Sequence, residues 1–138
     1  MVEAQRKYFR KIISIELSQT LFENAKNKFR DYKNIEILLG DSGELIKDIV
    51  TNLERPAIFW LDGHYSGGNT AKGKIETPIL NELKTILQSK RDHVILIDDA
   101  RMFDGNNDYP TIKYLEEFVS KAGYSLMVEN DIIRLTKK

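Results

Sequence analysis

Asp62, His64, Asp98 and Asp99 are the residues of this chain whose types and spacing could do chemistry together. Asp62 closes the apolar run Pro-Ala-Ile-Phe-Trp-Leu that starts at Pro56, and Asp98-Asp99 closes Val-Ile-Leu-Ile after His93. Short bounded apolar runs read as buried strands, so the two acidic ends would share one rim. Three carboxylates brought together repel, and one or more is driven toward the neutral form. A hard divalent cation removes that cost, and Mg2+ takes oxygen ligands in an octahedron with positions left for water or substrate oxygens. His64, two residues past Asp62, could take a proton from a hydroxyl near neutral pH, above all from one polarised by a metal. Each residue also has a plainer reading. Asp98 or Asp99 could cap the next segment with only one facing the rim, and His64 could make a structural hydrogen bond in a loop.

The elements that must position these residues follow from periodicity. Residues 2–10 read as a short helix with Ala4, Tyr8 and Phe9 on one side, and residues 12–15 as a β-branched strand closed by Glu16. Ser18 is a good N-cap for a helix carrying Leu21, Phe22, Ala25 and Phe29 at helical spacing. Residues 34–39 form the next strand, ended by Gly40-Asp41-Ser42, and Asp41 or Ser42 caps a helix with Leu45, Ile46, Ile49, Val50 and Leu53. Residues 57–61 are the third strand. The polar loop of residues 63–76 holds four glycines and is long enough to read as a functional lid. Thr77-Pro78 opens a helix carrying Ile79, Leu80, Leu83, Ile86 and Leu87.

Residues 94–97 are the fourth strand. Pro110 opens a last helix that ends near Gly123, a C-cap. Residues 124–129 and 132–136 are two final strands around Asn130-Asp131, a hairpin-like turn. Strands alternating with helices imply a doubly wound α/β sheet, mostly parallel, with an antiparallel closing pair. Residues 1–138 read as one domain, without repeats or a linker.

Ligands in such sheets bind at the carboxyl ends of the strands, where this reading puts Glu16, Asp41, Asp62, Asp98 and Asp99. Glu16 could accept hydrogen bonds from two ribose hydroxyls, or simply begin a turn. Asp41 could hold the amino group of a base, or cap its helix with Ser42 sharing the work. Tyr65 and Arg101 flank the rim. Trp60 and Phe59 read as core, and His93, which opens a strand, carries no catalytic role.

Composition narrows the partners. Lys+Arg and Asp+Glu are equal at 21 each, so no global basic field draws the chain to nucleic acid or to anionic lipid. There is no Cys, which excludes disulfides and thiolate chemistry and fits the cytosol. No apolar run approaches the about 20 residues that span a membrane, and the N-terminus lacks the apolar core of a secretory signal. A phosphate-loop enzyme is disfavoured, because no Gly-Lys-[Ser/Thr] occurs.

Taken together, these residues resemble a class I S-adenosylmethionine-dependent methyltransferase over nearly the whole chain. Residues 12–16 are similar to that fold's second strand with its ribose-binding acid, and Leu39-Gly40-Asp41-Ser42 to the end of its third, where adenine is held. Phe59-Trp60-Leu61-Asp62 is similar to the fourth strand and Ile95-Leu96-Ile97-Asp98-Asp99 to the fifth, with the closing pair as the sixth and seventh. Within the fold, Leu-Asp-Gly-His-Tyr with Ile-Asp-Asp resembles the metal-dependent O-methyltransferases of the macrocin and novobiocin type. Where the macrocin-like pattern carries a second Asp as base, this chain has His64. The family's first strand and its Gly-rich turn would precede residue 2 and are absent from the sequence, leaving two strand edges short of a partner.

The resemblance implies S-adenosylmethionine as cofactor, with Glu16 on the ribose, Asp41 and Ser42 near the adenine and Asp62 beside them. It further implies Mg2+ on Asp62, Asp98 and Asp99, His64 as base and a small hydroxylated acceptor, in a cytoplasmic enzyme that binds neither nucleic acid nor membrane. The unpartnered edges make self-association into a homo-oligomer an expectation. The rival expectation is an inactive methyltransferase-fold fragment or binding module.

Overall fold

The computed structural model describes residues 1–62, 79–106 and 109–138. They form two compact units, Met1–Leu45 and Ile46–Lys138.

The first unit is built on β1 (Ile12–Glu16) and β2 (Ile35–Leu39), parallel and in register from Ile12 opposite Ile35 to Glu16 opposite Leu39. Both strands are rich in β-branched and leucine side chains, the composition that suits a pleated, half-buried surface. Helix α2 (Gln19–Phe29) packs on the pair. Its start is capped as expected, Ser18 Oγ accepting from Leu21 N at 3.4 Å, and Phe29 is its buried anchor.

The helix expected over residues 2–10 is only α1 (Val2–Gln5). The Asn34 amide takes the Arg6 and Phe9 carbonyls at 3.0 and 3.1 Å. Those carbonyls serve a side chain 25 to 28 residues away instead of a helix ladder. Tyr8 is accordingly 80% exposed and not on an apolar face.

The second unit holds the main core. Its sheet has the order β3-β4-β6-β5, formed by β3 (Ile58–Leu61), β4 (Val94–Ile97), β5 (Tyr124–Glu129) and β6 (Ile132–Lys137). β3 and β4 are parallel, while β6 runs antiparallel to both β4 and β5. β4 is apolar throughout because it lies between two strands: Ile95 and Ile97 have no exposed surface. Helices α3 (Ser42–Asn52), α4 (Ile79–Leu87) and α5 (Ile112–Ser120) supply Ile46, Val50, Ile79, Leu83, Ile86, Leu115 and Val119 to the same core. Burying one such side chain stabilises the fold by about 1.5–3 kcal/mol.

Several expected details are corrected. Helix α5 is capped by Thr111, whose Oγ1 accepts from Tyr114 N at 3.1 Å, and Pro110 lies one residue outside it. The helix closes at Lys121; Gly123, at φ +77°, forms the turn beyond it. Asn130 and Asp131 both have positive φ, 52° and 62°, which matches a two-residue turn to the twist of the β5–β6 hairpin.

The closing antiparallel pair and the parallel β1–β2 and β3–β4 pairs agree with the α/β expectation. Their ladders fall into two sheets, β1 pairing with β2 and β3 with β4 among the described residues. Among the described residues no helix is long and apolar enough to cross a membrane.

Candidate functional site

In the second unit the parallel register delivers the acids. Leu61 lies opposite Ile97, so the next residues, Asp62 and Asp98, leave the sheet side by side. Asp98 N donates to the Leu61 carbonyl at 3.0 Å, which carries the ladder one rung past the strands.

Two adjacent strand residues would point to opposite faces. Asp99 escapes that rule through its backbone, with φ 55° and ψ 51° in the left-handed region. Asp tolerates that region better than most side chains. Its N–H donates to Asp98 Oδ1 at 2.9 Å, and the chain then enters a short 3-10 turn, Ala100–Met102. The result is that Asp62, Asp98 and Asp99 each offer a carboxylate oxygen within 4.8 Å of the other two. Asp62 is exposed, Asp98 half-buried and Asp99 buried. Three oxygen donors of one charge sign, one shielded and one open to solvent, fit a hard divalent cation that keeps some of its water. Soft metals prefer sulfur or imidazole ligands.

Asp99 also carries a cation already. Arg101 Nη2 lies 2.5 Å from Asp99 Oδ1, and Arg101 Nη1 is paired with Asp131 Oδ2. Asp131 Oδ1 accepts from Arg101 N at 2.9 Å, and its carbonyl accepts from Ala100 N at 2.8 Å. The β5–β6 turn is thereby bonded to the segment that follows β4. Sequence reasoning placed Arg101 beside the rim and missed Asp131; the only signal for Asp131 was its position in a turn that tolerates positive φ.

His93 closes the opposite end of β4. It is 1% exposed. Its Nδ1 accepts from Ala57 N at 3.0 Å, its Nε2 pairs with Ser89 Oγ at 2.9 Å, and its own N–H donates to the Tyr124 hydroxyl at 3.1 Å. Phe59 meets its ring edge-on. Burial pushes its pKa down, and the nearby Arg91 pushes the same way. It is a structural residue that ties β3, β4 and β5 together, away from the carboxylates.

In the first unit Glu16 ends β1. Its Oε1 accepts from Ser18 N at 3.0 Å, and its carbonyl accepts from Gly40 N at 3.0 Å. Asp41 takes the helix-capping part: Oδ1 accepts from Gly43 N at 2.7 Å, and its carbonyl from Leu45 N at 3.0 Å. Ser42 is the first residue of α3 and half-buried. Both carboxylates keep a second oxygen beyond these bonds, and Asp41 is exposed. His64, Tyr65 and the glycine-bearing loop lie outside the described residues.

No protein-family model and no curated protein matches the chain by sequence. Solved structures do match its fold. A protein of Streptococcus mutans described as a methyltransferase, in complex with SAH, aligns with a TM-score of 0.59 at 15% identity over 93% of this chain and 76% of its own. A protein of Staphylococcus aureus described as a caffeoyl-CoA O-methyltransferase aligns at 0.58 and 15% identity, over 93% and 64%. The Methanococcus jannaschii fibrillarin pre-rRNA processing protein aligns at 0.55 and 15%, over 93% and 57%. The chain thus spans between about half and three quarters of the length of these structures. At such identity the likeness establishes the fold, that of the class I S-adenosylmethionine-dependent methyltransferases.

Proposed function

We propose that this chain is an S-adenosylmethionine-dependent O-methyltransferase acting on a small hydroxylated acceptor with the help of Mg2+. The observation that carries the reading is the convergence of the Asp62, Asp98 and Asp99 oxygens within 4.8 Å in a chain of methyltransferase fold. In the first unit Glu16 would accept from the ribose hydroxyls, and Asp41 with Ser42 would hold the adenine. In the second, Asp62, Asp98 and Asp99 would hold the cation.

When bound, Mg2+ supplies Lewis acidity toward an acceptor hydroxyl. His64, two residues beyond Asp62, would take that hydroxyl's proton. The oxygen lone pair would then attack the methyl carbon in line. S-adenosylmethionine, when bound, would supply that methyl group, its carbon–sulfur electrons passing to sulfur, so that a methyl ether and S-adenosylhomocysteine would result. Orientation of the two reactants accounts for much of such an acceleration.

Isothermal titration of the chain with S-adenosylmethionine, with and without Mg2+, tests the reading. Saturable heat that strengthens with Mg2+ supports it. Absence of heat under both conditions removes it and leaves a methyltransferase-fold binding module.

A further inference from the structure

We propose that Arg101 is a tethered counter-cation that sets how tightly the Asp62, Asp98 and Asp99 cluster takes a divalent cation. The inference rests on the cation reading above and adds the residue that tunes it.

Arg101 touches two carboxylates of different kinds. It meets Oδ1 of Asp99, which is a member of the cluster, and Oδ2 of Asp131, which belongs to the β5–β6 turn and lies outside it. Asp131 grips Arg101 twice, at the guanidinium and at the backbone N–H, and takes the neighbouring Ala100 N–H on its own carbonyl. The guanidinium is therefore held from the far side while it neutralises Asp99.

Exposure divides the pair unequally. The Asp99 side chain is 10% exposed and that of Arg101 is 62%. The carboxylate is fixed by its surroundings, whereas the guanidinium is open to water and can give way. A cation held by the Asp99 carboxylate must share that group's charge with Arg101 or displace the guanidinium. Like charges a few ångströms apart near a protein surface weaken binding on the order of tenfold. Asp131 keeps the displaced guanidinium paired, which makes the exchange reversible without leaving an uncompensated charge.

The test is isothermal titration of the chain and of Arg101→Gln, Arg101→Met and Arg101→Lys with MgCl2 alone and MnCl2 alone at low ionic strength. The two neutral variants are expected to bind about tenfold more tightly. The Lys variant keeps the positive charge but cannot grip both carboxylates as the guanidinium fork does, so its affinity should fall between those of the parent and the neutral variants. Thermal unfolding checks that each variant folds. Should the Gln variant fail to fold, the Met variant, which keeps the apolar stem, carries the comparison. A parent that binds while the neutral variants bind no more tightly overturns the proposal and leaves the cation site standing. No binding by the parent or any variant removes the site and the proposal together.

Discussion

The backbone N–H of Asp98 donates to the carbonyl of Leu61 at 3.0 Å, one rung beyond the end of the β3–β4 ladder. That bond forces the residue after Leu61 and the residue at Asp98 to leave the sheet together, and both are aspartates. A rung that closes a parallel pair thus also sets the spacing of two acids.

If those acids with Asp99 form a cation site, removing one should weaken it more than it harms the fold. Asp98→Asn should reduce Mg2+ affinity at least about tenfold, since a charged oxygen donor becomes a neutral one. Unfolding in chelator should shift by no more than about 1 kcal/mol, because a repulsive charge is lost while the asparagine amide oxygen can still accept from Asp99 N. Titration calorimetry and urea unfolding measure the two effects separately. Equal Mg2+ affinity in both proteins would argue against Asp98 as a ligand.

The same site should make stability depend on the ion. At a Mg2+ concentration of 100 times its dissociation constant the folded state gains about 2.7 kcal/mol. The melting temperature should therefore rise with Mg2+ and return on chelation, as read by differential scanning calorimetry. A melting temperature indifferent to Mg2+ would count against native-state binding.

His93 predicts a pH dependence at the other end of β4. Burial lowers its folded pKa, so the unfolded chain takes up a proton first as pH falls below the ordinary histidine value of about 6.5. Stability should be complete above that value and decline between it and the depressed folded value. Tyr124, whose pKa burial raises, should give the mirror effect, a loss of stability as pH rises through about 10. Urea midpoints against pH test both. The His93→Gln variant should flatten the acid limb; an unchanged limb would move the cause elsewhere.

Gly40 predicts a local backbone cost. It stands at φ +150°, and a Cβ there would lie 2.9 Å from Leu45 Cδ1. The leucine tip can shift, so the backbone conformation decides. Gly40→Ala should destabilise by about 1–3 kcal/mol. Denaturant unfolding gives the number, and a change below about 0.5 kcal/mol would show that the turn relaxes freely.

The chain showed most of its elements in local pattern. β4 was legible as residues 94–97 because a strand buried between two others must be apolar along its whole length. Ser18 was legible as a cap because its hydroxyl needs only a backbone N–H three residues on. Local pattern overextends the first helix, because the Asn34 amide that engages the Arg6 and Phe9 carbonyls is 25 to 28 residues distant. Pro110 does not open its helix because Thr111 offers a hydroxyl, and a hydroxyl in reach of Tyr114 N outweighs the preference for Pro at the first helical turn.

By itself the sequence determined which residues end each strand, since apolar runs and acidic stops are local properties. It therefore determined that Glu16, Asp41, Asp62, Asp98 and Asp99 lie at strand ends. Only the tertiary structure decided that Asp98 and Asp99 both turn toward Asp62, because this depends on a left-handed φ at Asp99. Only the tertiary structure paired Arg101 with Asp131, 30 residues away. Such pairings arise from the hairpin folding back on β4, and no spacing along the chain encodes them.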